Sequence, residues 1–316
     1  MSFDRVFITG CGGMLGNAIY PYFLERYRKI LAVDIQIEEH EETWLKYCDV
    51  RERSQLERVF RDFKPQLVLH LAALVDVETC EDDPDDAVAT HATSTKNVAE
   101  LCKEYGSTMV YISTGRVFDG EKDGYYTEDD QPNPIMVYGQ TKYDGEMFVR
   151  DILDTHYIVR PGWMVGGGPE VDHKFVKQIL EQIAAGEPKI YGVDDKVGTP
   201  TYTHDFAMTL FELLNTKKYG TYHMVCKEAG TRFDVAKEIV KICGKADEIE
   251  IVPVKSDFFS SRFFAPRPAN EMLLNQNLEN LGIDLMRPWP IALREYISSE
   301  YMEYIGLHNA GELKVN

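Results

Sequence analysis

Apolar runs and helix-periodic stretches alternate along the first half of the chain. Val6-Phe7-Ile8 is a short, uninterrupted apolar run, followed by a helical pattern with Leu15, Ile19, Tyr22 and Phe23 on one face. Lys29-Ile30-Leu31-Ala32-Val33 reads as the next strand; a polar loop and a short strand near Trp44–Tyr47 follow. Ser54-Gln55-Leu56-Glu57 has capping-box spacing and predicts a helix opening there and running through Asp62. Leu67–Leu71 and Thr108–Ser113 read as buried strands, with one helix expected between them from about Pro84 to Glu104. A Gly/Asp/Tyr-rich loop precedes a helix at about 138–151, and Tyr157–Arg160 is a further strand. Strands without a polar face, separated by helices, predict an α/β fold: a Rossmann-like doubly wound parallel sheet.

Beyond Pro161 the pattern loosens. Helices are expected near 172–185, 205–215, 232–242 and 291–304, and short strands near 189–191, 221–225 and 249–252. The expected division is a Rossmann domain over 1–160, to which later segments return, and a smaller C-terminal α/β lobe over 161–316. Open parallel sheets bind ligands at the carboxyl ends of their strands. Thr9, Asp34, Ala72 and Ser113 all follow strands at that edge.

The glycines at 10, 13 and 16 sit where the first strand turns into the first helix. Gly10 permits the sharp turn, Gly13 lets backbone N–H groups approach a pyrophosphate, and Gly16 lets the helix pack closely. The helix N-terminus supplies free donors and a favourable dipole. Asp34 ends the second strand 24 residues after Gly10, near the roughly 20 expected for an acid that binds adenosine ribose hydroxyls. A carboxylate there, followed by Ile35 and no arginine, favours NAD(H), with NADP(H) also admitted. The alternative for Asp34 is a strand-end turn cap.

Charge narrows the partners. The 316 residues carry a formal net charge of −18, which argues against nucleic acid and anionic membranes. No apolar stretch approaches the roughly 20 residues of a membrane helix, and the N-terminus lacks a signal-peptide core. The six cysteines, without a C-x-x-C pair, read as reduced thiols in a cytoplasmic protein. No histidine cluster has metal-ligand spacing, and the acids at 81–86 read as helix-dipole partners, so no metal is expected. A homodimer is compatible with the chain.

Tyr138 and Lys142 stand four apart at the start of a helix and so share one face. A nearby ammonium lowers a phenol's pKa, which lets the tyrosine hand a proton to a carbonyl oxygen as hydride reaches the carbon. Ser113-Thr114 follow the preceding strand at the ligand edge, where a hydroxyl can bond the same oxygen.

With these motifs on view, the chain resembles an extended short-chain dehydrogenase/reductase. The resemblance rests on Thr9–Gly16, Asp49-Val50, Leu71-Ala72-Ala73 and Tyr138–Lys142. Within that superfamily it is most similar to the dTDP-4-dehydrorhamnose reductases. The carriers are Ile112-Ser113-Thr114, Val117-Phe118-Asp119-Gly120, Glu128-Asp129, Arg160-Pro161-Gly162-Trp163, Gly198-Thr199-Pro200-Thr201 and Arg267-Pro268. The resemblance implies Tyr138 as proton donor, Lys142 holding the nicotinamide ribose, and Thr114 as third catalytic member rather than Ser113. It implies Asp49 and Val50 by the adenine, and Ala72 and Ala73 along the cofactor channel. The expected cofactor set is therefore Gly10, Gly12, Gly13, Met14, Leu15, Gly16, Asp34, Ile35, Asp49, Val50, Leu71, Ala72, Ala73 and Ser113, with Tyr138 and Lys142.

The implied reaction is NAD(P)H-dependent reduction of a nucleoside-diphosphate-linked 4-keto-6-deoxy sugar. Val75, Arg116, Trp163 and Arg267 form the expected substrate set. Trp163 is alternatively a core residue, and Arg116 and Arg267 are alternatively solvated loop arginines. The prolines around Arg267 pre-aim it at a pyrophosphate, with Arg262 and Lys255 as alternates. Gly115-Arg116 replace the family's Asp-Tyr, Val75 stands where the family often has Thr, and His91 where the superfamily often has Asn. The missing acid after Thr114 weighs against a 4,6-dehydratase. A nucleotide-sugar epimerase keeps the same Tyr and Lys. A non-catalytic subunit, like the methionine adenosyltransferase beta subunit, is the remaining alternative.

Overall fold

The computed structural model describes residues 3–37 and 44–306. Six strands lead: β1 (Arg5–Thr9), β2 (Lys29–Asp34), β3 (Leu45–Tyr47), β4 (Leu67–His70), β5 (Thr108–Ile112) and β6 (His156–Arg160). With Gly220–His223 they form a parallel sheet of seven strands, in spatial order Gly220–His223, β6, β5, β4, β1, β2, β3. The order reverses beside β1, which opens the crevice where such sheets take ligands. The polar loop expected after Asp34 lies largely outside the described residues.

Alternation along the strands supplies both faces. Val6 and Ile8 point into one core, with Leu15, Ile19, Phe206 and Leu210. Phe7 points into the other, with Phe60, Val98, Tyr111 and Val149. Because both faces are covered by helices, the strands read as continuous apolar runs. The first core also takes in Trp289 and Ile297 from the last helix, and helix Thr203–Thr216 packs on α1 (Met14–Leu24). Residues after 160 thus pack against the main sheet as well as forming smaller sheets of their own. These are Lys189–Val193 paired with Glu250–Val254, and a small sheet of Gly230–Thr231, Val197–Gly198 and Asn270–Glu271.

Two local expectations are corrected. Helix α2 runs Arg53–Phe63 with Glu52 at its cap and no side-chain cap bond. Glu57, the expected capping-box acid, is instead drawn to the Arg53 guanidinium, Nε to Oε1 2.9 Å. The single helix expected over 84–104 is α3 (Val77–Asp82), α4 (Pro84–Val88), a π turn over Ala89–Thr93, and α5 (Ser94–Tyr105). Asp76 and Asp83 cap α3 and α4 by accepting from the Thr79 and Asp86 amides. Asp86 also pairs with Arg51 at 2.7 Å. Asp76 and Asp83 are therefore caps and Asp86 an ion partner, with Asp85 and Asp86 in the first turn of α4. A π turn carries no local sequence signature, and here it is the turn that turns His91 inward.

Candidate active site

At the carboxyl edge Gly10 turns off β1 with φ +64°, and a Cβ there would sit 2.5 Å from the Ala72 backbone. Only glycine meets both demands. The turn delivers α1 with Gly13 at its cap and no side-chain cap bond, so the first-turn N–H groups of Met14, Leu15 and Gly16 remain donors. Asp34 Oδ2 accepts from the Gly12 amide at 2.9 Å and Oδ1 from the Gln36 amide at 3.1 Å. Asp34 is thus both a turn cap and a carboxylate at the mouth of the glycine turn, and Ile35 beside it is exposed. Val50 is buried beneath this edge, and the Asp49 carboxylate is gripped by Arg51, with Nη2 to Oδ2 at 2.7 Å. The Arg51 contact holds Asp49 below the usual carboxylate range. Leu71, Ala72 and Ala73 leave β4 alongside Thr9, whose carbonyl takes the Leu71 amide at 3.2 Å. Uncapped helix donors, an open glycine turn and a strand-end acid fit a dinucleotide.

Helix α6 (Val137–Ile152) carries Tyr138 and Lys142. Its first turn presses on the turn Gly115–Val117: a Cβ at Gly139 would fall 2.2 Å from the Arg116 carbonyl oxygen. Thr114 caps that turn, its Oγ1 accepting from the Arg116 amide at 3.2 Å, and its hydroxyl acts to lower the pKa of the Tyr138 phenol. Ser113 faces elsewhere, donating to Glu146 Oε1 at 2.5 Å. The Tyr138 ring packs against Val77, Met136 and Ala265. His91 stands edge-on to it at 5.4 Å, fixed by Thr141 at 2.8 Å and by Leu74.

The electrostatics differ from the expected division of labour. Burial pushes the Tyr138 phenol up, and the Arg116 guanidinium is the charge that pulls it back down. Lys142 is 2% exposed, with Nζ 4.4 Å from the Tyr111 ring centre. Desolvation pushes its ammonium down to about 7, against the pull of Glu146. Glu146, fully buried, also binds Arg160 through Nε at 2.8 Å and Nη2 at 2.7 Å. The stripe Tyr138, Lys142, Glu146, Arg150 at steps of four was visible in the sequence, but only its first two members were read as chemistry.

The expected substrate residues separate. Arg116 is no solvated loop residue: its Nε holds Glu271 Oε2 at 3.0 Å with little exposure of either side chain. Trp163 is 6% exposed, and among the described residues its indole N–H has no acceptor. Val75 is exposed, and its carbonyl takes the Lys174 ammonium at 3.3 Å. Arg267 is neither solvent-facing nor free: Nη2 pairs with Glu78 Oε1 at 2.6 Å and Nη1 donates to the Ala265 carbonyl at 3.0 Å. Of its alternates, Lys255 forms an exposed ion pair with Asp194 and Arg262 lies exposed against Phe263. Glu146, Glu271 and Arg232 went unread in the sequence.

The doubly wound sheet, the glycine turn on α1 and the Tyr–Lys helix define an NAD(P)-dependent oxidoreductase of the extended short-chain dehydrogenase/reductase class. The family model described as the RmlD substrate binding domain matches residues 4–302, and the chain belongs to that family. A dTDP-4-dehydrorhamnose reductase of Mycolicibacterium smegmatis is 30% identical over 298 residues, 94% of this chain and 86% of the relative. A solved dTDP-4-dehydrorhamnose reductase of Clostridium acetobutylicum has a TM-score of 0.84 at 33% identity, covering 93% of this chain and 98% of its own. Another, from Bacillus anthracis in complex with NADP, has a TM-score of 0.80 at 29% identity, covering 94% and 99%. No described helix is long and apolar enough to cross a membrane.

Proposed function

We propose that this protein reduces the 4-keto group of a nucleoside-diphosphate-linked 4-keto-6-deoxy sugar, as its dTDP-4-dehydrorhamnose reductase relatives are named for doing. The observation that carries the reading is the first turns of α6, bearing Tyr138 and Lys142, packed on the turn that Thr114 caps, at the edge where the glycine turn opens. When bound, the nicotinamide supplies hydride to the carbonyl carbon. Tyr138 gives its phenolic proton to the carbonyl oxygen, and the Thr114 hydroxyl bonds the same oxygen as charge develops there. Lys142 holds the nicotinamide ribose. The first-turn amides of α1 take the cofactor's pyrophosphate, and Asp34 takes its adenosine ribose. Six free, buried cysteines fit a reducing cytoplasm. The direct test is to incubate the protein with NADH, NADPH and a panel of 4-keto nucleotide sugars and follow cofactor oxidation. No turnover with any of them would overturn the reading.

Asp34 sets the cofactor preference. Its carboxylate accepts ribose hydroxyls and repels a phosphate in their place, so NADH binds at least as tightly as NADPH. Fluorescence titration of both reduced cofactors checks this, and markedly tighter NADPH would remove Asp34 from the ribose.

Arg116 and Glu271 act on the phenol with opposite sign. Reduction needs Tyr138 protonated. Removing the Arg116 charge raises the phenol's pKa, so in Arg116→Gln the high-pH limb of kcat moves to higher pH. Removing the Glu271 charge lowers it, so in Glu271→Gln the limb moves to lower pH. A pH profile of the reductase reaction on both variants reads the signs; shifts in one direction would contradict the assignment.

A further inference from the structure

Three short strands meet beside Trp163: Gly230–Thr231, Val197–Gly198 and Asn270–Glu271. Gly198 pairs with Gly230 on one side and with Glu271 on the other. The Trp163 ring lies against Gly198, where a Cβ would fall 2.6 Å from Cζ2. Arg232, two residues beyond Gly230, sets its guanidinium 4.0 Å from the Trp163 ring centre and 5.0 Å from that of Phe175. Register and stacking therefore gather Arg232, Trp163, Glu271 and its partner Arg116 around one point.

This cluster has donors in excess. Among the described residues nothing accepts a hydrogen bond from the Arg232 guanidinium, whereas its cationic neighbours are engaged. Arg267 is tied to Glu78, Arg116 Nε to Glu271, and the Lys174 ammonium to the Val75 carbonyl. The buried Trp163 N–H also has no acceptor. Burial pushes Arg232 down to about 10, and the charges of Arg116 and Arg267 push the same way against Glu271 alone. A half-buried guanidinium that bonds no carboxylate among the described residues keeps its donors for an arriving oxyanion.

We infer that Arg232, seated on Trp163, receives the diphosphate of the sugar nucleotide, and that Arg267 instead fastens its loop to α3. The planar fork meets two phosphoryl oxygens at once, and the aromatic platform holds it flat. The inference rests on the nucleotide-sugar reading above and reassigns the anion contact expected of Arg267.

Calorimetric titration of dTDP and of UDP into the full chain tests it, with NADH affinity as the control for folding. Arg232→Met weakens both nucleotides about 10- to 100-fold, the range set by hydrogen bonds to charged groups, with NADH affinity unchanged. Arg232→Lys keeps the charge without the fork and recovers part of the loss. Arg267→Met stays within about threefold of wild type. Nucleotide binding by Arg232→Met as tight as wild type overturns the inference and leaves the nucleotide-sugar reading standing. Wild-type protein that binds neither nucleotide overturns both. If Arg232→Met also loses NADH binding, Arg232→Lys decides: undiminished dTDP affinity there overturns the bidentate contact.

Discussion

Tyr138→Phe is expected to lower kcat by about 10²- to 10⁴-fold, the usual worth of a positioned general acid. The change removes one hydroxyl and leaves the ring against Val77, Met136 and Ala265, so the fold and the NADH affinity stay as they are. Thr114 keeps its place because its Oγ1 also accepts from the Arg116 amide at 3.2 Å. It cannot replace the phenol, since an aliphatic hydroxyl is far too weak an acid near neutral pH. Steady-state turnover with NADH and the best sugar nucleotide from the panel, beside a cofactor titration, checks the split. Turnover within threefold of wild type would place the proton donor elsewhere.

Glu146→Ala is expected to destabilise the fold by about 3–5 kcal/mol, the cost of stripping one partner from a buried ion pair. The carboxylate is fully buried and serves Arg160, Arg150 and Ser113 together. Arg160 is 1% exposed, enclosed by Phe118 and His223, so water cannot take over the lost bonds. Against a typical stability of about 5–15 kcal/mol the loss is large. Urea unfolding reads it as a lower midpoint with an unchanged slope. Glu146→Gln keeps the volume and one acceptor and should cost less than alanine. A loss below about 1 kcal/mol in Glu146→Ala would mean that Arg160 finds another partner.

Much of the frame was legible because it depends on neighbours in the chain. β1, β4 and β5 announce themselves as unbroken apolar runs, since a parallel sheet covered on both faces leaves no polar side. The glycines at 10, 13 and 16 mark the turn because the backbone there needs a conformation or an approach that a Cβ forbids. Tyr138 and Lys142 were placed on one helical face by spacing alone.

What the sequence by itself determined, then, was the alternation of strands and helices in the first half of the chain, the glycine turn, and the strand edge at which that turn opens. Periodicity and close-range sterics act within a few residues. Tertiary structure alone decided the long-range charge pairs around the site. Arg116 meets Glu271 across 155 residues, Arg267 meets Glu78 across 189, and Arg160 closes on Glu146 from the neighbouring strand. An ion pair is chosen by whichever opposite charge the fold brings within about 3 Å in a desolvated place, and no local pattern records that choice. The same reason explains why Arg267, whose prolines advertised a rigid anion grip, is already paired. Arg232, unremarkable at the start of a helix, lies on an indole ring with no ion partner among the described residues.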